Sequence, residues 1–330
     1  MNQHEITERR PLLDASGNLT EPGYAKSLLP VYRRGDIKAN KLRIKEWDYY
    51  CINNGHFALA LTIADNSYMG LDSISLLNLD EGWEITKSPM KAFTNGKVCL
   101  PESSERGDVH SAGRNYSILF KNEGDRRVLI AQMKNFGPEG SLYAKVTLTD
   151  IPAESMVIAT PFDKDKHFYY NQKINCMRAE GTVTYGYHNR TYTFDPADSF
   201  AVLDWGRGVW TYKNTWYWGS ASGLVDGSGS ASTSATASAT RAPRARTCSF
   251  TRAGRTSSAR SSSTSQATAA GPRRTICGPG PSRATTAASR WTTPPCSTAR
   301  AVRTWASSSP TSTRCLACST AAPCSTTAWC

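Results

Sequence analysis

From Trp47 onward the chain alternates apolar with polar or small positions at a spacing of two, the period of an extended strand. Phe57, Leu59, Leu61 and Ile63 fall on one face of such a run, and Ala58, Ala60, Thr62 and Ala64 fall on the other. Asn53-Asn54-Gly55 precedes it as a turn, so the segment reads as a hairpin arm with a packed face and a small-residue face. Further runs of strand character are 68–79, 116–121, 127–133, 142–148, 156–161, 168–176, 181–187, 199–205 and 209–220. Asn95-Gly96, Glu123-Gly124-Asp125 and Pro138-Glu139-Gly140 punctuate them as turns. A helix of any length is hard to place. Many short strands at regular spacing predict an all-β, antiparallel fold, a lipocalin-like barrel or sandwich with one complete and one truncated unit.

This pattern divides the chain into an extended N-terminal segment (1–46), a β-rich body (47–227) and a low-complexity tail (228–330). The first 30 residues are polar, broken by Pro11, Pro22 and Pro30, and hold no apolar run of signal-peptide or membrane-span length. A soluble, cytoplasmic protein with no membrane span is the expectation.

Composition changes the picture at Gly227. The whole chain carries a formal charge of +12, but the tail supplies 13 Arg and no acidic residue, whereas the body balances 26 Lys+Arg against 27 Asp+Glu. Seven of the ten Cys also lie in the tail, leaving Cys51, Cys99 and Cys176, which form neither a disulfide framework nor a zinc spacing. Ser, Ala, Thr, Pro, Arg, Gly, Cys and Trp make up 98 of the 103 tail residues, types whose codons can carry C or G in the middle position. A GC-rich gene read out of frame produces that bias. When each codon is taken as one residue's third base plus the next residue's first two, the stretch from Gly229 forces apolar positions to alternate with small or polar ones. It permits the reading FGFNLGYGFGDTSAASENMLF. A frameshift near residue 227 is therefore expected; a disordered extension and a basic nucleic-acid arm are the alternatives. Too few large apolar residues remain in the tail to bury a core, so a disordered C-terminus is expected there.

Four segments carry a family resemblance: 47–79, 154–162, 167–183 and 203–223, the last reading LDWGRGVWTYKNTWYWGSASG. They closely resemble the proteins grouped as domain-of-unknown-function family 2804 (DUF2804), over nearly all of residues 8–227. The resemblance implies a β-sheet protein of about this size. A weaker likeness, carried by Trp47-Asp48-Tyr49-Tyr50 and the strand after it, is to two-barrel lipocalin-like proteins that include carotenoid hydratases. It implies no catalytic role for any residue.

The densest candidate site is 204–218. On one strand Trp210, Tyr212, Asn214, Trp216 and Trp218 point the same way, an aromatic ladder suited to a lipid, an isoprenoid or a sugar face. The alternative is that these rings fill a barrel interior. Asp204 and Arg207 lie beside two glycines that permit a bulge, which could aim both into the cavity mouth as catalytic groups. An Asp204–Arg207 ion pair closing a turn is the competing reading. Asn171, Lys173 and Asn175 share one face of their run, with Gln172, Arg178 and Glu180 on the other, and either line a pocket or face solvent.

The five His show no metal spacing, and the body has no GxGxxG, GxxxxGK[ST] or GxSxG, so no metal and no cofactor is expected. The leading expectation is a protein that binds an apolar or amphipathic small molecule in a sheet-lined cavity, through Trp210, Tyr212, Asn214, Trp216, Trp218, Asn171 and Lys173. The rival is an enzyme acting on a lipid or isoprenoid, of hydratase or isomerase type, with Asp204 as proton donor. A nucleic-acid partner rests on the tail arginines alone and is disfavoured. The sequence does not set the oligomeric state.

Overall fold

The period-two alternation becomes antiparallel sheet in a computed structural model of the chain, which describes residues 4–212, 215–225, 228–238, 244–251 and 312–316. Four strands run first as a meander: β1 (Ile44–Asn53), β2 (Phe57–Asp65), β3 (Met69–Asn78) and β4 (Trp83–Lys87). A second group follows: β5 (Val109–Gly113), β6 (Tyr116–Asn122), β7 (Arg127–Gly137) and β8 (Gly140–Thr149). The chain then forms β9 (Met156–Pro161), β10 (Phe168–Tyr185), β11 (Phe200–Val209), β12 (Thr215–Val225) and β13 (Ser228–Ser238). The main path through the large sheet is β4-β3-β2-β1-β11-β10-β8-β7-β6-β5, antiparallel throughout. Among the described residues the only helical elements are two 3-10 turns, at Arg34–Asp36 and Lys41–Arg43.

The path curls until its two ends meet. Asp72 on β3 accepts hydrogen bonds from Ser111 Oγ on β5 (2.8 Å) and Tyr116 OH on β6 (2.6 Å), with Lys91 Nζ 3.1 Å away. The seam is thus joined by side chains, and the enclosed face buries Tyr50, Ile52, Leu61, Ile74, Phe120, Val146 and Leu203 in one apolar cluster. The N-terminal segment is extended as expected, yet it joins this core: Leu12, Leu28, Tyr32 and Ile37 are buried in it, and Gly23–Ala25 pairs with β9. Burial of such side chains, at about 25 cal/mol per Å² of apolar area, ties the segment to the barrel more strongly than its three backbone partners could.

Strands β1 and β11 are buried on both faces, so a second apolar layer lies on the reverse side. Trp47, Tyr49, Cys51, Ala58, Ala60, Ala64, Tyr169 and Trp210 form it, which is where the small-residue face of β2 goes: its alanines leave room for the rings of β1. The β12–β13 hairpin covers part of this layer. Trp218 packs against it, and its indole Nε1 donates to Thr233 Oγ1 at 3.1 Å.

Two expectations are corrected here. The runs 168–176 and 181–187 are one strand, β10, carried through a bulge at Asn175-Cys176, where Cys176 has φ 64°. The run 209–220 is not one strand: β11 ends at Val209 and β12 begins at Thr215. Within the tail, β13 pairs with β12 residue for residue, since backbone ladders require no particular side chains. Arg244–Thr251 and Ser312–Leu316 extend that smaller sheet; the rest of the expected disordered tail lies outside the described residues. No helix among the described residues is long and apolar enough to cross a membrane, which does not bear on spanning strands.

Candidate functional site

Register places the chemistry. Asp204 on β11 lies opposite Tyr49 on β1 and Lys173 on β10, and Gly206 lies opposite Trp47 and Asn171. These positions share the reverse face of the sheet. Three donors converge on Asp204 Oδ1: Asn171 Nδ2 at 2.5 Å, Lys173 Nζ at 3.1 Å and Trp47 Nε1 at 3.3 Å. Asn171, Lys173 and Asp204 are all buried, so the solvent-facing reading of the Asn171 run does not hold. Lys173 Nζ also lies 4.2 Å from the centroid of the Trp218 ring, a cation-π contact shielded from water.

Aromatic rings surround this pair. Trp218 meets Tyr49 edge to face at 6.0 Å, while Trp210 contacts Trp47 (5.8 Å), Tyr169 (5.6 Å) and Phe162 (5.6 Å). Trp47 and Tyr169 stack at 6.4 Å. The result is one ion pair held within a mostly aromatic layer between the main sheet and the β12–β13 hairpin.

Neither Asp204–Arg207 expectation survives. The two residues are three apart on an unbroken strand and point to opposite faces. Arg207 enters the barrel interior, 3.0 Å from Asp48 and 4.0 Å from Glu46. It donates to the carbonyls of Trp47, Gly206 and Pro101, and its guanidinium lies over Trp205. Burial pushes Asp48 up even though Arg207 opposes it. The neighbouring glycines form no bulge. Gly206 exists because the Trp47 indole lies where a Cβ would stand, and Gly208 because the Phe168 carbonyl does.

The ladder is split by the break at 211–214. Trp210 and Trp218 reach the same layer from different elements, whereas Tyr212 is 79% exposed and carries Arg43 over its ring at 5.8 Å. Asn214 lies outside the described residues, as does the side chain of Trp216. Past the β10 bulge the faces exchange, so Arg178, opposite Phe200, falls on the Asn171 side and not with Gln172. Gln172 is buried in the barrel with Ser155 Oγ at 2.9 Å.

An open cleft of about 590 Å³ lies beside this layer, with Trp210 as a shared wall. Arg43, Lys164, Lys166, His167 and Tyr212 also line it, with Asp165 as the one acid. Arg43 Nε donates to the Trp210 carbonyl at 3.0 Å. Lys45, only 5% exposed, holds its Nζ 5.4 Å from the Trp210 ring. Burial lowers His167, and the charges of Lys164 and Arg43 add to that, against the hydrogen bond that its Nδ1 donates to the Asp165 carbonyl at 2.8 Å. The sequence reading missed Trp47, Tyr49, Tyr169, Arg43, Lys45 and His167 as site residues. Alternation along Trp47-Asp48-Tyr49-Tyr50 could have placed the first two. Nothing local marks Lys45 or His167, which tertiary packing brings together. Among the described residues no group of three or more His, Cys, Asp or Glu is arranged to hold a metal ion.

A family profile described as Domain of unknown function (DUF2804) matches residues 3–233. Similar solved structures include a candidate AttH from Nitrosomonas europaea, with 12% identity and a TM-score of 0.41, covering 65% of this chain and 71% of that one. Another is kievitone hydratase from Nectria haematococca, with 14% identity and a TM-score of 0.43, covering 73% of each chain. No curated protein matches the chain.

Proposed function

The chain belongs to the DUF2804 family, and we propose that it binds an apolar or amphipathic small molecule along the aromatic layer between the main sheet and the β12–β13 hairpin. The observation that carries this reading is the Lys173–Asp204 pair buried among Trp47, Tyr49, Trp210 and Trp218. Aromatic faces supply contact area at little conformational cost, and a few fixed polar groups orient a ligand. Trp218 and Tyr49, from separate sheets, meet over Lys173, so displacing the hairpin would open the layer without disturbing the barrel core.

In the enzymatic alternative, a hydratase or isomerase acting on a lipid or isoprenoid, Asp204 was expected to give up a proton. Asn171, Trp47 and Lys173 converge on its Oδ1 and hold the carboxyl in one orientation for such a transfer. Titration with fatty acids, retinoids and isoprenoids, following tryptophan fluorescence, tests the binding reading. A saturable response to one class supports it, and none to any overturns it. Turnover of a bound ligand that is lost in Asp204→Asn, with binding kept, would instead favour the enzyme.

A further inference from the structure

We infer that the cleft beside Trp210 is an anion site, and that it takes the carboxylate or phosphate headgroup of the ligand whose apolar body lies in the aromatic layer. This inference rests on the binding reading for the body of the ligand and on independent observations for the head. The cleft walls carry the cations Arg43, Lys164 and Lys166 against a single acid, Asp165, with His167 beside them. Like charges are not gathered on a concave surface without a cost in mutual repulsion, and a bound anion removes that cost.

The second observation is Lys45. It lies on β1 opposite Gly208, two residues after Arg43, with its Nζ 5.4 Å from the Trp210 ring. It is buried, yet among the described residues it makes no ion pair and no hydrogen bond; its contact is with the Trp210 ring. Every other buried lysine or arginine in the described body has an oxygen partner: Lys173 has Asp204, Arg207 has Asp48, and Arg127 donates to Tyr50 OH at 2.7 Å. Burying most of a lysine with no counter-ion carries a desolvation cost that a bound anion would offset. Arg43 lines the cleft and donates to the Trp210 carbonyl, while Lys45 stands off the lining with its Nζ 5.4 Å from the ring of that wall residue, so an anion in the cleft meets Arg43 directly and feels the charge of Lys45 beside the indole, past which an alkyl or prenyl chain continues. Arg43 is itself held in place by Tyr212 beneath it, which gives that exposed ring a role.

The test compares dodecanoate, dodecyl phosphate, dodecanol and inorganic phosphate on the full chain, by calorimetry and tryptophan fluorescence. Both charged amphiphiles are expected to bind about ten-fold or more tightly than dodecanol, as charge-assisted hydrogen bonds allow. Lys45→Met and the surface variant Arg43→Gln should each bring that ratio toward one. Competition of either amphiphile by millimolar inorganic phosphate marks a site that also accepts free anions; its absence assigns the site to headgroups alone, and both outcomes support the anion site. Equal affinity for dodecanoate and dodecanol, or a ratio unmoved by both variants, overturns the inference while the binding reading stands. Phosphate binding without any amphiphile binding would sink the binding reading and keep the anion site. No response to any of the four overturns both.

Discussion

The indole of Trp47 occupies the space that a side chain at Gly206 would need. That contact joins β1 to β11 at their pairing position and lets Trp47 Nε1 reach Asp204. A methyl group at Gly206 must push the ring away from both. Gly206→Ala should therefore destabilise the protein by about 1–3 kcal/mol, the usual cost of overpacking a core. Urea unfolding reads it directly, and an unchanged midpoint would mean that the ring moves aside freely.

Asp204 and Lys173 should behave as a unit. Removing one charge leaves the other buried, so Asp204→Leu or Lys173→Met alone should cost about 3–5 kcal/mol, whereas the double variant combining the two should recover most of that. A double-mutant cycle by chemical denaturation measures the coupling. Additive losses would show that the pair does not act together.

Lys45 should give stability an unusual pH dependence. Burial, with the nearby Arg43 charge adding to it, lowers its pKa from 10.5 to about 8. Between those values the unfolded chain holds a proton that the folded chain has released, so stability rises as pH goes from about 8 to about 10.5 and is least, for this group, below pH 8. At about 1.4 kcal/mol per pKa unit the rise is bounded near 3 kcal/mol. Lys45→Met should abolish the rise and raise stability at pH 7. Parallel alkaline profiles for the two proteins would contradict it.

The gene offers the least costly test. The family match ends at residue 233, close to where the composition changes after Gly227. One or two nucleotides gained or lost near the codons for Asp226 to Ser228 would account for the tail. Resequencing that interval should restore a continuation close to FGFNLGYGFGDTSAASENMLF, whose glycines suit a strand lying on the Trp218 face of β12. Stop codons in the offset frame, with the nucleotide sequence confirmed, would refute the frameshift.

Much of the fold was legible because strand period and face burial are local properties. Met156–Pro161 is a strand with the bounds its sequence suggested, and the two faces of β2 are those its alternation assigned. Trp210 and Trp218 were also legible as members of an aromatic layer, though not as neighbours on one strand. The misses have one cause. A bulge that inserts one extra residue at Asn175-Cys176 reverses every later side chain of β10, and a break after Trp210 sends Tyr212 outward; neither is marked by glycine or proline.

What the sequence determined by itself was therefore the class: antiparallel sheet, no long helix, an abrupt change of composition at residue 227, and which residues alternate together. Pairing was decided only in three dimensions. Lys173 meets Asp204 because β10 and β11 are adjacent in register, and Arg207 meets Asp48 because β1 lies on the other side of β11. Arg43, His167 and Trp210, distant in sequence, gather at one cleft for the same reason. Strand order and register set which charges become neighbours, and those depend on long-range packing that no local pattern records.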